Sequence, residues 1–377
     1  MSKIENLFAE ASKARIGSAY AASWGHIFKP EAIQKVTFGT RSHQAGSGLV
    51  TPSTFFDLAS LTKILATTSL YMIAHEAGAI DVNAPLETYL PDEVKAHPHL
   101  KGLTISQLLS HRSGLPAWRA YYEQMKIRFG SNLPYLSIDI RKSYFYDLVL
   151  STALENKPDT TVVYSDVGFL ILSYLAEKLW AKAAFRTFSL IVEEKVWSQI
   201  SGSTFHFRPV TSDAVSARAS VDALQEEMVA TEICPWRGFL QGQVHDDNAW
   251  SMGGVAGHAG VFGTLHDTLR WIEAIFNHQV VSLKTLRYFA QEVLLAGAPS
   301  GRALGFDLPA KDGSGSTGFA FSAASIGHLG FTGTSLWMDL DEGFFAVLLT
   351  NRVHPSRHDL RIRTLRQNFH AGVRAEF

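Results

Sequence analysis

Apolar residues recur at helical spacing over residues 61–77 and stop at Gly78, which predicts a helix closed by a glycine C-cap. Similar patterns predict an amphipathic helix in the first eleven residues, a short helix over 104–110 and an apolar helix over 167–179. A last helix is expected over 360–369. Extended runs at 17–25 and 35–40 predict two strands near the N-terminus. Two more are expected near the C-terminus, over 328–339 and 343–350, separated by the acidic turn at 339–343. Strands at both ends with helices between them predict an α/β (α+β) fold, an antiparallel sheet built from both termini and flanked by helices, with an inserted all-α region. The expected division is a discontinuous sheet domain, 1–57 and 255–377, and a mostly helical domain, 58–254, with the site at their interface. The Gly/Ser/Ala-rich stretch 313–325 is expected to be a mobile loop leading into a strand.

Composition narrows the function. The chain has 377 residues, 46% apolar and 18% charged, with a formal net charge of -1. Lys and Arg are scattered, so no electrostatic footprint for nucleic acid or anionic lipid is present. No apolar run is long enough to span a bilayer, and the N-terminus lacks the apolar core of a secretion signal. A cytoplasmic protein with a small-molecule substrate and neither nucleic acid nor membrane as partner is expected; the sequence leaves the oligomeric state open. The lone cysteine, Cys234, has no partner for a disulfide or a cysteine metal cage and reads as a buried thiol. No His-Glu-x-x-His, Gly-x-Ser-x-Gly or phosphate-binding loop occurs, so neither a metal nor a nucleotide cofactor is expected.

The candidate chemistry starts at Ser60-Leu61-Thr62-Lys63, where a loop passes into the first long helix. Residues three apart share a helical face, which brings the Ser60 hydroxyl to the Lys63 amine. Ser60 also falls at a helix N-terminus, where free N–H groups favour developing negative charge. A serine becomes a useful nucleophile only beside an activating group, and this spacing supplies one.

Two further motifs follow in order, Tyr164-Ser165-Asp166 and His328-Leu329-Gly330-Phe331-Thr332-Gly333. With them the chain resembles the serine β-lactamase and penicillin-binding protein superfamily, in its class C β-lactamase and esterase-like branch. That family carries Ser-x-x-Lys, Tyr-x-Asn, and Lys-Thr-Gly or His-x-Gly. The segment Leu103-Thr104-Ile105 through Ser113-Gly114-Leu115-Pro116, and Leu348-Leu349-Thr350-Asn351-Arg352, extend the resemblance over nearly the whole chain. It implies a β-lactamase/transpeptidase-like fold and a serine hydrolase working through an acyl-enzyme. Ser60, Lys63 and Tyr164 would be catalytic, and the Ser60 and Phe331 N–H groups would form the oxyanion hole. Asp166, His328, Gly330, Asn248 and Arg352 would contact substrate, with Gly330 kept small so that substrate can lie against its strand. The loop 244–260 is similar to a segment at the active-site rim of esterase-like relatives, with His245, Asn248 and His258 as candidates for contact.

Two positions depart from the family. Asp166 replaces an asparagine and, as a carboxylate, holds Lys63 protonated and repels anions. His328 replaces a lysine with an imidazole, neutral above roughly pH 6.5. Both weaken recognition of a substrate carboxylate. The expected substrates are therefore amides or esters of small acyl groups: D-amino-acid peptides, peptidoglycan-derived fragments or short esters. A true β-lactamase or D-Ala-D-Ala carboxypeptidase, and a catalytically weak binding protein retaining the fold, are the alternatives.

Overall fold

The computed structural model describes residues 2–180, 187–210 and 223–377. Strands β1 (Ala19–His26) and β12 (Phe344–Thr350) pair antiparallel from Tyr20 opposite Thr350 to His26 opposite Phe344, which joins the two ends of the chain. β2 (Gln34–Gly39) extends the sheet on one side, β11 (Ser335–Asp339) and β10 (Ser325–Leu329) on the other, in the order β10-β11-β12-β1-β2. Both faces of the central strands are covered. Tyr20, Ala22, Trp24, Phe344, Ala346 and Leu348 pack with Phe8 and Phe369 of the Lys3–Lys13 and Ile362–Arg374 helices. Ala19, Ala21, Phe345, Val347 and Leu349 alternate with them and enter the larger core shared with the helical region.

Most expected elements are in place. The Lys3–Lys13 helix opens with a capping box between Ser2 and Glu5, and Ile105–Leu109 with one between Thr104 and Gln107. Two expectations change. The single strand expected over 328–339 is two strands, β10 and β11, reversed by a turn in which Gly330 N–H donates to the Thr334 carbonyl at 2.7 Å and Gly333 sits at φ 114°. The helix expected over 61–77 begins as a 3-10 turn, Ala59–Leu61, widens to a π turn at Lys63–Thr68, and becomes α-helical only at Ser69–Glu76. All six π-turn residues are buried, and the Ser69 hydroxyl donates to the Ile64 carbonyl five residues back at 2.7 Å.

The stretch 58–254 is not purely helical. It holds β4 (His206–Phe207) and the hairpin of β5 (Ala230–Cys234) and β6 (Gly238–Gln241). β4 and β3 (Phe56–Asp57) flank β7 (Val261–Gly263) in a small sheet that delivers the chain to Ser60, and β8 (Leu294–Leu295) pairs with β9 (Ala298–Pro299) in a separate hairpin. Residues 313–325 form neither helix nor strand up to the start of β10, yet they are tied to the last helix: Gln367 donates to the Gly315 carbonyl at 3.0 Å, and His370 Nδ1 meets the Ser316 carbonyl at 2.8 Å. Among the described residues no helix is long and apolar enough to cross a membrane.

Candidate active site

Ser60 is held by a turn that the surrounding residues over-determine. Ala59, just before it, adopts φ 48°, a conformation unusual for a residue with a Cβ. The buried Asp57 carboxylate sustains this turn by accepting from Ala59 N–H at 2.8 Å and from His245 N–H at 2.7 Å. The Asp57 carbonyl accepts from the Thr332 hydroxyl at 2.7 Å and the Leu58 carbonyl from the Thr334 hydroxyl at 3.1 Å. The turn carrying Ser60 is thus bolted to the β10–β11 turn carrying Phe331. No carbonyl accepts from the N–H of Ser60 or of Phe331 among the described residues.

Lys63 is fully buried, and its ammonium donates to Ser60 Oγ at 3.0 Å, Asp166 Oδ1 at 2.7 Å and the His258 carbonyl at 3.2 Å. Burial opposes its charge most strongly, but the Asp166 carboxylate and then Tyr164 together more than offset this and hold the amine above its ordinary value. Lys63 therefore stays protonated. The Tyr164 ring lies 4.8 Å from Lys63 Nζ. Burial pushes the Tyr164 phenol up most strongly; Lys63 and a hydrogen bond to Ser60 pull it down, Asp166 pushes it up, and the net is a rise. Ser60, Tyr164 and Asp166 open into a cavity of about 920 Å³ that also meets His328, Phe331, Arg302 and Arg352.

The Beta-lactamase family model matches residues 20–369. This chain belongs to the Beta-lactamase family. Family membership makes it a serine hydrolase of β-lactamase-like fold. A putative D-alanyl-D-alanine carboxypeptidase of Salmonella agona (strain SL483) is 30% identical over 325 residues, covering 81% of this chain and 71% of its own length. Simvastatin synthase (LovD) from Aspergillus terreus, as its LovD6 mutant, superimposes with a TM-score of 0.70 over 99% of this chain and 94% of its own, at 16% identity. The octameric penicillin-binding protein homologue from Pyrococcus abyssi gives 0.68 over 98% and 77%, also at 16% identity. At that identity the two structures show a shared fold alone.

As a Beta-lactamase family protein, the chain places its remaining candidate residues unevenly. His328 lines the cavity but is only 1% exposed; Nδ1 meets the Leu329 carbonyl at 2.8 Å, while Nε2 is sealed from solvent without a partner. Burial, then Lys63, drives its pKa well below the ordinary histidine value, so the imidazole is neutral and position 328 carries no fixed charge. Gly330 lines the cavity too, but the reason for a glycine is internal. A Cβ there would fall 2.0 Å from Thr334 Oγ1 and 2.7 Å from the Leu58 carbonyl, inside the bolt between the two turns.

Asn248 does not line the cavity. It is buried, accepts from Tyr122 N–H at 3.0 Å and donates to the Arg119 carbonyl at 2.8 Å, stapling the 244–260 loop to the helical region. His245 and His258 do face the cavity: His245 stacks on Phe331 with centroids 5.6 Å apart, and His258 Nε2 meets Asp246 Oδ1 at 3.0 Å. Arg352 is buried against the cavity. Its Nε donates to the Phe331 carbonyl at 2.7 Å and its Nη1 to the Arg357 and Asp359 carbonyls at 2.7 and 2.9 Å. Cys234 is a buried free thiol, as expected. Sequence reading missed Asp57, Thr332, Thr334 and Arg302. The threonines lay in plain view within the His328 segment, whereas Arg302 carries no local signal.

Proposed function

We propose that the protein hydrolyses amide or ester bonds of small substrates through an acyl-enzyme on Ser60, with D-amino-acid peptides, peptidoglycan-derived fragments and short esters as its substrate class. The observation that carries this reading is the 3.0 Å contact between Lys63 Nζ and Ser60 Oγ beneath a large cavity, with Asp166 fixing the lysine's charge. A protonated Lys63 has no lone pair with which to take the serine proton, so that task falls to Tyr164 as phenolate. Ser60 Oγ attacks the substrate carbonyl carbon as its proton passes to Tyr164. The N–H groups of Ser60 and Phe331 hold the oxyanion. Collapse of the tetrahedral intermediate expels the amine or alcohol, which takes the proton from Tyr164. Water then attacks the acyl carbon, giving a proton to Tyr164; collapse breaks the Ser60 Oγ–carbon bond, Tyr164 returns the proton to Ser60 Oγ, and the carboxylic acid leaves with Tyr164 again a phenolate. In this reading the site lies where the sheet built from the termini meets the mostly helical region.

Substrate preference follows from charge. Position 328 is neutral, Asp166 is anionic, and Arg352 has committed Nε and Nη1 to carbonyls. A substrate carboxylate therefore meets no fixed charge at position 328 and an anion at Asp166, while Arg302 and Arg352, among the cavity's arginines, are already engaged by Asp307 and by carbonyls. The test is a kcat/KM series over a short aryl ester, a D-amino-acid amide, a peptide ending in D-Ala-D-Ala and a cephalosporin. The ester and amide are expected to exceed the cephalosporin by about 10²-fold or more, two lost charge-assisted contacts being worth about that much. Cephalosporin turnover as fast as ester turnover would favour a true β-lactamase, and turnover of none of the four would favour a binding protein. The name of the Salmonella relative favours the D-Ala-D-Ala peptide as the next most active substrate.

A further inference from the structure

Five side chains face the Tyr164 ring, and their charges do not sum as the motifs alone suggest. Lys63, from the π turn, lies 4.8 Å from the ring centroid, but its charge is answered at 2.7 Å by Asp166 of the Asp166–Trp180 helix. His111, from the loop after the Ile105–Leu109 helix, packs with centroids 4.7 Å apart, and His328 of β10 at 5.8 Å. Both imidazoles are buried; His111 accepts Ser165 N–H at Nδ1 at 3.0 Å, and burial with the surrounding cations keeps both neutral. The fifth is Arg302, whose guanidinium carbon lies 5.6 Å from the same centroid.

Arg302 belongs to none of the motifs, yet it is mounted rigidly beside them. It forms an ion pair with Asp307. The Asp307 backbone in turn exchanges hydrogen bonds with Gly327 at 2.8 and 3.0 Å, which fixes the pair to the edge of β10 one residue before His328. Arg302, Asp307, Tyr164 and His328 all line one cavity. We propose that Arg302 is a positioning residue acting through Tyr164: it provides the positive charge that a lysine at position 328 would provide, and Asp307 sets how much of that charge the phenol feels. The proposal rests on the reading of Tyr164 as the base.

The signs follow from Coulomb's law. A cation near the ring favours phenolate, so Arg302→Gln raises the Tyr164 pKa; Asp307→Asn removes an anion from Arg302 and lowers it. On the rising limb of a pH–rate profile, where phenolate is the minor form, such a change appears as a fold-change in rate at fixed pH. A charge at this range gives about three- to tenfold.

The experiment measures the second-order rate constant for fluorophosphonate modification of Ser60 from pH 6.5 to 10 in the full chain. Wild type is expected to rise about tenfold per pH unit, and Tyr164→Phe to be slow and flat. Arg302→Gln should fall three- to tenfold below wild type at every pH with unchanged slope, and Arg302→Lys should recover most of that loss. Asp307→Asn should lie above wild type. A rising limb that survives in Tyr164→Phe would overturn the base assignment and this proposal with it. A flat Tyr164→Phe profile with Arg302→Gln and Asp307→Asn both superimposed on wild type, or both below it, would overturn the role of Arg302 and leave Tyr164 standing. Because the two substitutions must move the limb in opposite directions, a variant that merely weakens the fold cannot imitate the result.

Discussion

Lys63→Met is expected to lower kcat/KM for an ester substrate by about 10³-fold, the range over which positioned charge and proton-transfer groups act. The methionine is nearly the lysine's length and apolar, so it fills the same fully buried site without leaving a cavity. Three interactions disappear together: the donor to Ser60 Oγ, the counter-ion of Asp166 and the cation 4.8 Å from the Tyr164 ring. The fold also weakens, because the Asp166 carboxylate loses its partner. Breaking a sealed ion pair costs about 3–5 kcal/mol. Asp166 keeps 19% of its side chain exposed, so a smaller loss of about 1–3 kcal/mol is expected in the unfolding free energy from a urea titration. Wild-type turnover with the expected loss of stability would show that the pair serves the fold alone.

Gly330→Ala is expected to cost about 10²–10³ in kcat/KM while Lys63 and Ser60 keep their contact. The new methyl group meets Thr334 Oγ1 at 2.0 Å and the Leu58 carbonyl at 2.7 Å, contacts that no Cβ tolerates. The turn must move, and Phe331 N–H moves with it; Arg366, which donates to the Gly330 and Thr334 carbonyls at 2.7 and 2.8 Å, holds the same turn from behind. Losing one oxyanion donor accounts for a loss of this size. Retained wild-type kcat/KM would place the oxyanion donors elsewhere. The matched control is Gly318→Ala, where a Cβ meets nothing within 4 Å although φ is 54°; its activity should be unchanged.

The strands, the helices and the Ser60–Lys63 contact were legible because each depends on neighbours in sequence. Alternating positions in β1 and β12 announce two buried faces, and a three-residue spacing announces a shared helical face. What escaped depends on chain segments meeting from far apart. Asn248 looks like a substrate contact until Tyr122 and Arg119 occupy it, and Arg352 looks free for substrate until the Phe331, Arg357 and Asp359 carbonyls take its Nε and Nη1. Gly330 was expected to be small for the substrate's sake, but the space is taken by Thr334 and by the carbonyl it binds, that of Leu58, some 270 residues earlier in the chain. Arg302 is the extreme case, since its partner across the cavity is Tyr164 and nothing in its own neighbourhood marks it. The break at Gly330–Thr334 was visible as a Gly-x-x-Gly spacing with threonines between two apolar runs.

The most direct test of the account is intact-mass spectrometry after exposure to a fluorophosphonate at pH 8, comparing wild type with Ser60→Ala. The account predicts one adduct per chain in wild type and none in Ser60→Ala, with the mass assigned to the Ser60 peptide after digestion. An adduct that persists in Ser60→Ala, or a wild-type chain that stays unmodified across the alkaline range, would contradict an activated nucleophile at Ser60.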